Sequence, residues 1–357
     1  MLQLENLGWG PFFQQQLNSA EAEDLLPARI AEELKGTYRI YAECGPMLAT
    51  TCGRLAHVVV TRDDLPAVGD WVLARPLLAE ERAVIHRVLE RRTKLSRKMA
   101  GERTTEQILA ANVDTVFLVA SLNQEFNPRR IERYLTVIWE SGARPVVVLN
   151  KADLCDRPDA VLAEVESVAP GVPAHLTSAV GGDGLAALRR HLQQGETAVF
   201  VGSSGVGKSS LINCLLGQPS QIVQQIRHAD GRGRHTTTSR QLLIAPTGGI
   251  IIDTPGLREL QLWDAEAGLA RAFADISSLA SSCAFSDCKH STEPACAVLQ
   301  ALEEGTLDKA RISNYRKLEK EQAHIERKQN KSLEIAEKKR WKRIHMDNRQ
   351  RMRLRGR

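Results

Sequence analysis

Hydrophobic and polar positions follow two different rhythms along the chain, and the change falls near residue 105. Between residues 36 and 91, short runs rich in Val, Ile, Tyr and Thr are separated by turn residues such as Gly, Pro and Asp. This pattern predicts several short strands that close into a small barrel, of the oligonucleotide-binding (OB) or the SH3-like kind. The predicted strands are Thr37–Ala42, Arg54–Val60, Asp70–Ala74 and Ala83–Leu89.

After residue 105, buried strands alternate with amphipathic helices. This order predicts an α/β domain whose parallel sheet carries helices on both faces. Two further strands, Gln241–Ala245 and Ile250–Ile252, are joined by a short turn and are expected to be antiparallel. The other predicted strands are Val113–Ala120, Arg144–Leu149, Val172–Thr177 and Ala198–Val201, and the predicted helices are Pro128–Ser141, Ala160–Ser167, Leu185–Gln193 and Ser209–Leu216.

These rhythms divide the chain into five parts, so we expect a multidomain protein. The parts are an N-terminal arm (1–34), the barrel with a basic connector (35–100), the α/β domain (101–262), a mainly helical domain around a Cys/His cluster (263–315) and a basic tail (316–357). The connector, Arg91–Lys98, is either a solvated linker or a contact to RNA.

Composition narrows the function classes. Of the 357 residues, 43% are hydrophobic, which is enough for packed domains. No apolar run approaches the roughly 18 residues of a membrane-spanning helix, and the first residues lack the pattern of a signal peptide. We therefore expect a cytoplasmic protein with reduced thiols and no membrane partner. Nothing in the sequence indicates a dimer, so we expect a monomer.

Charge is distributed unevenly between the body of the chain and its end. The formal net charge is +5, but residues 316–357 contain 16 basic and 6 acidic residues. The first 315 residues contain 32 basic and 37 acidic residues. An acidic body with a basic tail predicts a polyanionic partner such as a nucleic acid. The alternative is a solvated or disordered end that aids solubility.

One segment carries the pattern of a phosphate-binding loop, G-x-x-x-x-G-K-S/T. It follows a predicted strand and opens a predicted helix, which is the context that this pattern requires. The residues are Gly202, Ser203, Ser204, Gly205, Val206, Gly207, Lys208 and Ser209, with Ser210 completing the predicted nucleotide-binding stretch. The glycines let backbone N–H groups surround phosphates, Lys208 reaches the β- and γ-phosphates, and the Ser209 hydroxyl binds Mg²⁺.

Two further patterns extend this site. Asp253 and Gly256 belong to a D-x-x-G pattern that follows the apolar run Ile250–Ile252. At the end of that strand, Asp253 can hold Mg²⁺ through water, and the Gly256 N–H can sense the γ-phosphate.

The tetrad Asn150, Lys151, Ala152 and Asp153 matches N-K-x-D and follows another predicted strand. Its carboxylate accepts hydrogen bonds from two donors that guanine presents together and adenine does not. Ser178 and Ala179 end the next strand, where a backbone N–H can donate to guanine O6. Together these residues favour GTP over ATP, and the alternative is that the tetrad is coincidental.

The order of these patterns is unusual. In ordinary GTPases the phosphate loop comes first, whereas here N-K-x-D and Ser178-Ala179 precede it and D-x-x-G comes last. Because binding loops gather at the carboxyl ends of parallel strands, a circularly permuted chain can build the same site. The segment after Asp253 then leads directly into the helical domain, so nucleotide state could reposition that domain.

The Cys/His cluster is Cys283-x4-Cys288-x-His290-x5-Cys296. Three thiolates and one imidazole form a closed tetrahedral set, which is typical of one structural zinc ion. The remaining cysteines are scattered and are interpreted as small core residues.

Taken together, the chain resembles the circularly permuted, ribosome small-subunit-dependent GTPase A family of bacteria over residues 36–315. The resemblance implies an OB barrel, a GTPase domain and a zinc domain. It also implies hydrolysis of GTP to GDP with Mg²⁺, binding to the 30S subunit and its 16S rRNA late in assembly, and subunit-stimulated hydrolysis coupled to release.

The resemblance also assigns roles in the segment Gly231–Thr238, which matches the switch I pattern of the family. Leu257 stands where many GTPases have a Gln that orients water, so the resemblance implies that His235 takes that role. Thr237 is the first choice for Mg²⁺ and the γ-phosphate, followed by Thr236. Two alternatives stay open: another translation-associated GTPase, or an RNA chaperone or scaffold with a slow nucleotide switch.

Overall fold

The computed structural model describes most of the chain. The described residues are 2–17, 24–53, 55, 64–98, 106–122, 126–217, 240–254 and 266–327. Within these residues, no helix combines the length and the apolar character that crossing a lipid bilayer requires.

Five strands form the predicted barrel. Their order is β1-β2-β3-β5-β4, and β4 pairs again with β1, so the sheet closes on itself. The pairing of β3 with β5 is parallel, whereas the other barrel pairs are antiparallel. This is a five-stranded OB-like barrel. The strands are β1 (Leu26–Leu34), β2 (Thr37–Ala42), β3 (Gly45–Thr51), β4 (Trp71–Leu77) and β5 (Arg82–Val88).

The barrel differs from the expectation at two places. Strand β1 lies within residues 1–34, which were expected to form an arm. Its pairing with β2 shifts between Ile30 and Glu32, so Ile30 and Ala31 are both buried and the alternating pattern is lost. Strand β3 begins at Gly45, where the sequence predicted a turn between two strands. Leu55, expected in a strand, is helical, and residues 56–60 lie outside the described part.

The remainder of the N-terminal arm packs onto the barrel. Leu7 and Phe13 are buried, and the rings of Trp9 and Phe13 lie 4.7 and 5.8 Å from the ring of Trp71. A short helix, α1 (Pro11–Gln14), holds Phe13 in place. The arm is therefore part of the hydrophobic core around the start of β4.

The α/β domain has the predicted architecture. Its sheet has the order β10-β9-β8-β11-β13-β12, parallel except for β12, and Gln241 at the start of β12 pairs with Glu32 of the barrel. Helices flank the sheet. The strands are β8 (Thr115–Ser121), β9 (Arg144–Asn150), β10 (Ala174–Thr177), β11 (Thr197–Val201), β12 (Gln241–Ile244) and β13 (Ile250–Asp253), and the helices are α2 (Pro128–Glu140), α3 (Pro158–Val168), α4 (Leu185–Arg190) and α5 (Lys208–Leu216).

The basic connector is structured, so the interpretation as a solvated linker is wrong. Strand β6 (Lys94–Lys98) pairs with β7 (Glu106–Ala111) in a separate two-stranded sheet. Arg91 binds the buried carboxylate of Asp70 at 2.7 Å, and Lys94 binds Glu106 at 3.0 Å. Part of its positive charge therefore stabilises the fold.

A buried arginine joins the arm, the barrel and the α/β domain, and we call its surroundings the barrel junction. The Arg29 guanidinium donates to the carbonyls of Gly69 and Asn112, each at 3.2 Å, and to Thr197 Oγ1 at 2.9 Å. It also donates to the carbonyl of Leu7. Because these partners come from four distant parts of the sequence, one side chain fixes their relative positions.

In residues 266–327, the described C-terminal part, three short helices precede a longer one. They are α6 (Glu266–Ala272), α7 (Ala274–Ala280), α8 (Ala297–Glu303) and a C-terminal helix that is described from residue 309 to residue 327. Leu318 and Ile325 of this last helix are buried. The expected boundary between domain and tail at residues 315 and 316 therefore cuts through a packed helix.

A cluster of charged side chains, which we call the C-terminal junction, attaches this part to α2. Arg311 binds Glu132 and Asp275, each at 2.7 Å, and Arg133 binds Glu321 at 2.7 Å. Close packing accompanies the ion pairs: a Cβ atom on Gly268 would lie 2.0 Å from the carbonyl oxygen of α2 residue Thr136. Only glycine fits there, so α6 lies directly against α2.

Candidate nucleotide site and metal centre

The predicted phosphate loop connects β11 to α5. Two of its glycines have positive φ angles and approach other backbone or side-chain atoms closely. A Cβ atom on Gly202 (φ +139°) would lie 2.2 Å from the carbonyl oxygen of Val119, and one on Gly207 (φ +97°) would lie 2.2 Å from Asn150 Nδ2. These positions require glycine because of both backbone conformation and space.

Lys208 begins α5 and turns back over the loop. Its Nζ donates to the carbonyls of Gly202 and Ser203, both at 2.7 Å. The helix start has no side-chain cap, and Ser209 and Ser210 are exposed. Uncapped N–H groups, the helix dipole and a lysine ammonium together suit an anion such as a phosphate.

Asn150 connects the phosphate loop to the predicted base-binding loops. Its Nδ2 donates to the carbonyl of Val206 at 2.8 Å. Its Oδ1 accepts from Thr177 Oγ1 and from the backbone N–H of Ala179, both at 3.3 Å. Because the side chain is 1% exposed and engaged at both ends, it holds three loops together.

The other base-binding candidates are more accessible. Lys151 adopts a left-handed conformation (φ +66°), after which a 3-10 helix, Ala152–Leu154, leaves Asp153 exposed. Ser178 is buried, and its Oγ accepts from the N–H of Gly181 at 3.0 Å. The tetrad and Ser178-Ala179 therefore meet at the carboxyl ends of β9 and β10, which are adjacent strands.

Asp253 ends β13, the strand next to β11. Its strand therefore delivers a carboxylate to the same edge of the sheet as Ser209. The next side chain, Thr254, is buried, and its Oγ1 has no hydrogen-bond partner among the described residues. Carboxylate and hydroxyl oxygens are suitable Mg²⁺ ligands, so the donor set at this edge fits the ion. Gly256, Thr236, Thr237 and His235 lie outside the described residues.

The Cys/His cluster forms one compact group. The ligand atoms of Cys283, Cys288, His290 and Cys296 lie within 4.8 Å of one another, so the cluster can hold a metal ion. Cys283 Sγ is 3.8 Å from Cys296 Sγ, and His290 Nδ1 lies 3.6 and 3.5 Å from these two sulfurs. His290 has a positive φ of 54°, which turns its ring toward the thiols.

The carboxylate of Glu293, which no sequence motif indicates, shapes the loop between His290 and Cys296. Glu293 accepts from the backbone N–H groups of Ser291 at 2.7 Å, Thr292 at 3.0 Å and Lys289 at 3.1 Å. These backbone hydrogen bonds lower the pKa of Glu293 to about 2, and the bond from Ser291 has the largest effect. An acidic residue three positions after a ligand is too common a pattern to reveal this role from sequence.

Comparisons with known proteins agree with this architecture. The family model described as RsgA GTPase matches residues 88–263, and the model described as 50S ribosome-binding GTPase matches residues 197–339. The second match begins at the first residue of β11, the strand before the phosphate loop.

Relatives and solved structures cover nearly the whole chain. A protein of Opitutus terrae named small ribosomal subunit biogenesis GTPase RsgA is 48% identical, over 99% of this chain and 99% of its own. A Vibrio parahaemolyticus protein named small ribosomal subunit biogenesis GTPase RsgA 2 is 47% identical over 90% of this chain and 86% of its own. The crystal structure of YjeQ from Thermotoga maritima has a TM-score of 0.65 and 29% identity, and covers 84% of this chain and 99% of its own.

A second solved structure, of YloQ, is described as a circularly permuted GTPase. It has a TM-score of 0.61 and 28% identity, and covers 87% of this chain and 98% of its own. Fold, motif order and similarity therefore define a circularly permuted P-loop GTPase, an enzyme that hydrolyses GTP. Within that class, the chain belongs to the RsgA GTPase family.

Proposed function

We propose that this GTPase acts in the late assembly of the small ribosomal subunit in the cytoplasm. In this proposal it binds the 30S particle and its 16S rRNA, the particle stimulates GTP hydrolysis, and hydrolysis times release. The observation that carries the proposal is the similarity of the whole chain, at 48% identity, to a relative named for small-subunit biogenesis.

The proposed nucleotide site uses the residues at the carboxyl edge of the sheet. Residues 202–210 hold the phosphates, and Lys208 exchanges the two carbonyls that it binds for phosphate oxygens. The exposed Asp153 recognises guanine, with Lys151 beside it, and the backbone N–H of Ala179 exchanges Asn150 Oδ1 for guanine O6. Asn150 holds these loops in register. Ser209, Asp253 and Thr237 would hold Mg²⁺, which neutralises charge on the β- and γ-phosphates when bound.

His235 is the proposed residue that orients the attacking water. Many GTPases use a Gln directly after D-x-x-G for this role, but here Leu257 occupies that position. An imidazole can accept a proton from a water near neutral pH. The Gly256 N–H is proposed to contact the γ-phosphate.

The metal centre is proposed to hold one structural zinc ion. Tetrahedral bonds of about 2.3 Å to sulfur and about 2.05 Å to nitrogen separate two sulfurs by about 3.8 Å, and sulfur and nitrogen by about 3.6 Å. The spacings between Cys283, Cys296 and His290 Nδ1, 3.8, 3.6 and 3.5 Å, support this assignment. Cys288→Ser should release zinc measured by elemental analysis, whereas Cys214→Ser should retain it.

The end of the chain is proposed to contact rRNA. Residues 328–357 contain twelve basic and three acidic residues. Because phosphate contacts release counterions, removing them should weaken binding to the particle and reduce its salt dependence. The deletion should start after residue 327, since a cut at residue 316 removes a packed helix as well.

The main experiment is GTP hydrolysis with purified 30S particles, with 50S particles and with neither, at two salt concentrations. We expect stimulation by 30S alone, and less of it at the higher salt. His235→Ala should retain GTP binding and lose the stimulation, while Lys208→Ala should lose nucleotide binding. Equal stimulation by 50S particles would instead favour a large-subunit role, to which the match with the 50S ribosome-binding GTPase model points.

A further inference from the structure

A long side chain of helix α2 forms a hydrogen bond to the phosphate loop. Arg130 Nη1 donates to Ser203 Oγ at 3.0 Å. Ser203 is also the residue whose carbonyl accepts from Lys208 Nζ. The second residue of the phosphate loop is therefore held from two sides, by the lysine through its backbone and by the arginine through its side chain.

A pocket of about 230 Å³ separates α2 from this loop. It is lined by Phe126, Arg130 and Tyr134 on one side and by residues 203–206 on the other. Because this space is not filled by packed side chains, the hydrogen bond from Arg130 spans the gap between α2 and the loop. Arg130 is exposed, so it keeps the freedom to follow a change in the loop.

The neighbours of Arg130 on α2 bind the C-terminal part of the chain. Arg129 binds Asp308, which precedes the C-terminal helix. The other two contacts, Glu132 with Arg311 and Arg133 with Glu321, belong to the C-terminal junction. Residues 129, 132 and 133 share one face of α2 because they are three and four positions apart. The same helical turn thus contacts the phosphate loop and the C-terminal helix.

We propose that Arg130 is a positioning residue for GTP hydrolysis, and that the C-terminal helix controls its position through α2. When Lys208 leaves the Ser203 carbonyl for a phosphate, the Arg130 hydrogen bond is what continues to hold Ser203. If the C-terminal helix leaves α2, the anchors on the adjacent face are lost and Arg130 shifts relative to the loop. This inference rests on the proposed assignment of residues 202–210 as the phosphate site.

The first test is Arg130→Ala, measured as single-turnover GTP hydrolysis without ribosomal particles. Because small displacements of a reacting group are costly, we expect the rate constant to fall about 10- to 100-fold. Affinity for GDP should change little, while affinity for GDP with aluminium fluoride, which mimics the transition state, should fall with the rate. A purely structural role predicts an equal loss of affinity for GDP and for GDP with aluminium fluoride, and an unchanged rate would overturn the proposal.

The second test asks whether the C-terminal helix acts through Arg130. Glu321→Gln removes one anchor of α2 without touching the phosphate loop. We expect it to lower the rate in the wild-type background and to have no further effect in the Arg130→Ala background. The exposed ion pair of Arg144, on another part of the domain, provides the control: Arg144→Ala should leave the rate unchanged in both backgrounds. Additive effects of Glu321→Gln and Arg130→Ala would overturn the coupling.

Failure of the proposed site and failure of this inference give different results. If Lys208→Ala still binds GTP, residues 202–210 are not the phosphate site and both proposals fall. If Lys208→Ala loses GTP while Arg130→Ala hydrolyses it at the wild-type rate, the site stands and only the role of Arg130 is overturned.

Discussion

The two junctions of the molecule each contain a buried arginine, but the partners of the two arginines differ. Arg29, in the barrel junction, is 1% exposed and donates to backbone carbonyls and a hydroxyl. Arg311, in the C-terminal junction, donates to the carboxylates of Glu132 and Asp275. Arg29 is therefore held by neutral dipoles, whereas Arg311 combines two carboxylates with two backbone carbonyls, those of Val168 and Ala272.

The pKa values of the two arginines reflect this difference. Burial lowers the pKa of Arg29 to about 10, because only the more distant Asp114 and Asp70 favour its charge. Burial also acts to lower the pKa of Arg311, but the hydrogen bonds and charges of Asp275 and Glu132 outweigh it and raise the pKa. Neutral partners make a junction that depends on shape, whereas charged partners make one that responds to salt and pH.

The largest expected effect is that of Arg29→Met. The change removes the donor to the carbonyls of Leu7 and Asn112, while that of Gly69 keeps a hydrogen bond from Asn112 Nδ2, and it should lower the free energy of unfolding by about 3–5 kcal/mol. The barrel and the α/β domain should lose stability together, because Arg29 contacts both. Urea unfolding followed by tryptophan fluorescence checks this, with the half-exposed Arg39→Met as the control. A loss below about 1 kcal/mol would mean that the junction does not depend on this guanidinium.

Arg311→Met should have a smaller and more local effect. Glu132 is fully buried but keeps hydrogen bonds from Arg129 at 2.8 Å and Asn314 at 2.6 Å, so its charge is not left alone. We expect a loss of about 2 kcal/mol, below the usual cost of breaking a buried pair. Hydrogen exchange should increase in residues 309–327 and stay unchanged in β8 and β9. If Arg311→Met increased hydrogen exchange equally throughout the chain, the distinction between the two junctions would be lost.

Two carboxylates, Asp70 next to the barrel junction and Asp275 in the C-terminal junction, should also respond to pH with opposite signs. Burial raises the pKa of Asp70 above its ordinary 3.8, although the hydrogen bonds of Arg91 oppose this. Burial acts in the same direction on Asp275, but the hydrogen bonds of Arg311 prevail and lower its pKa. A raised pKa stabilises the fold at low pH and this contribution is lost as the pH rises through the folded value; a lowered pKa stabilises at higher pH and is lost as the pH falls.

Asp70→Asn and Asp275→Asn separate these contributions. The stability of the wild-type protein relative to Asp70→Asn should decrease as the pH rises above about 4, whereas that relative to Asp275→Asn should decrease as the pH falls below about 4. Urea unfolding at constant ionic strength between about pH 2.5 and pH 6 gives both profiles. If the two profiles had the same slope, the opposite pKa shifts of Asp70 and Asp275 would be wrong.

The smallest effect is expected for the more exposed ion pair of the C-terminal junction. The side chains of Arg133 and Glu321 are 30% and 32% exposed, so solvent screens their attraction. The hydrogen bonds of Arg133 lower the pKa of Glu321. Glu321→Gln should cost at most about 1 kcal/mol, and the cost should shrink in high salt. A cost that is independent of salt would show that packing, not charge, holds this part of the helix.

The sequence predicted the α/β domain well because its signals are local. Buried strands, a glycine loop and a hairpin turn each occupy a few consecutive residues, and the strand ends place Asn150, Lys208 and Asp253 at one edge. The Cys/His cluster was equally readable, since one loop supplies all four ligands. The assignments of His235 and Thr237 stay predictions, because both lie outside the described residues.

What could not be predicted depends on contacts between distant parts of the chain. Nothing around Arg29 in the sequence shows that its partners lie 22 to 168 residues away. The bulge after Ile30 breaks the alternating pattern by which β1 could have been predicted. The sequence also does not show that Arg91, a candidate for RNA contact, is paired with Asp70. Arg130 likewise has no sequence signature, since its partner Ser203 is 73 residues away.

The side chain of Asn150 explains how the gene could be rearranged without loss of the site. Its amide joins the loop after β11 to the loop after β10 through hydrogen bonds of 2.8 and 3.3 Å. Neither bond requires that one loop precede the other along the polypeptide. The order of the loops along the chain and their arrangement in the site are thus separate properties. New termini are therefore compatible with the site where they leave this amide and its partners in place.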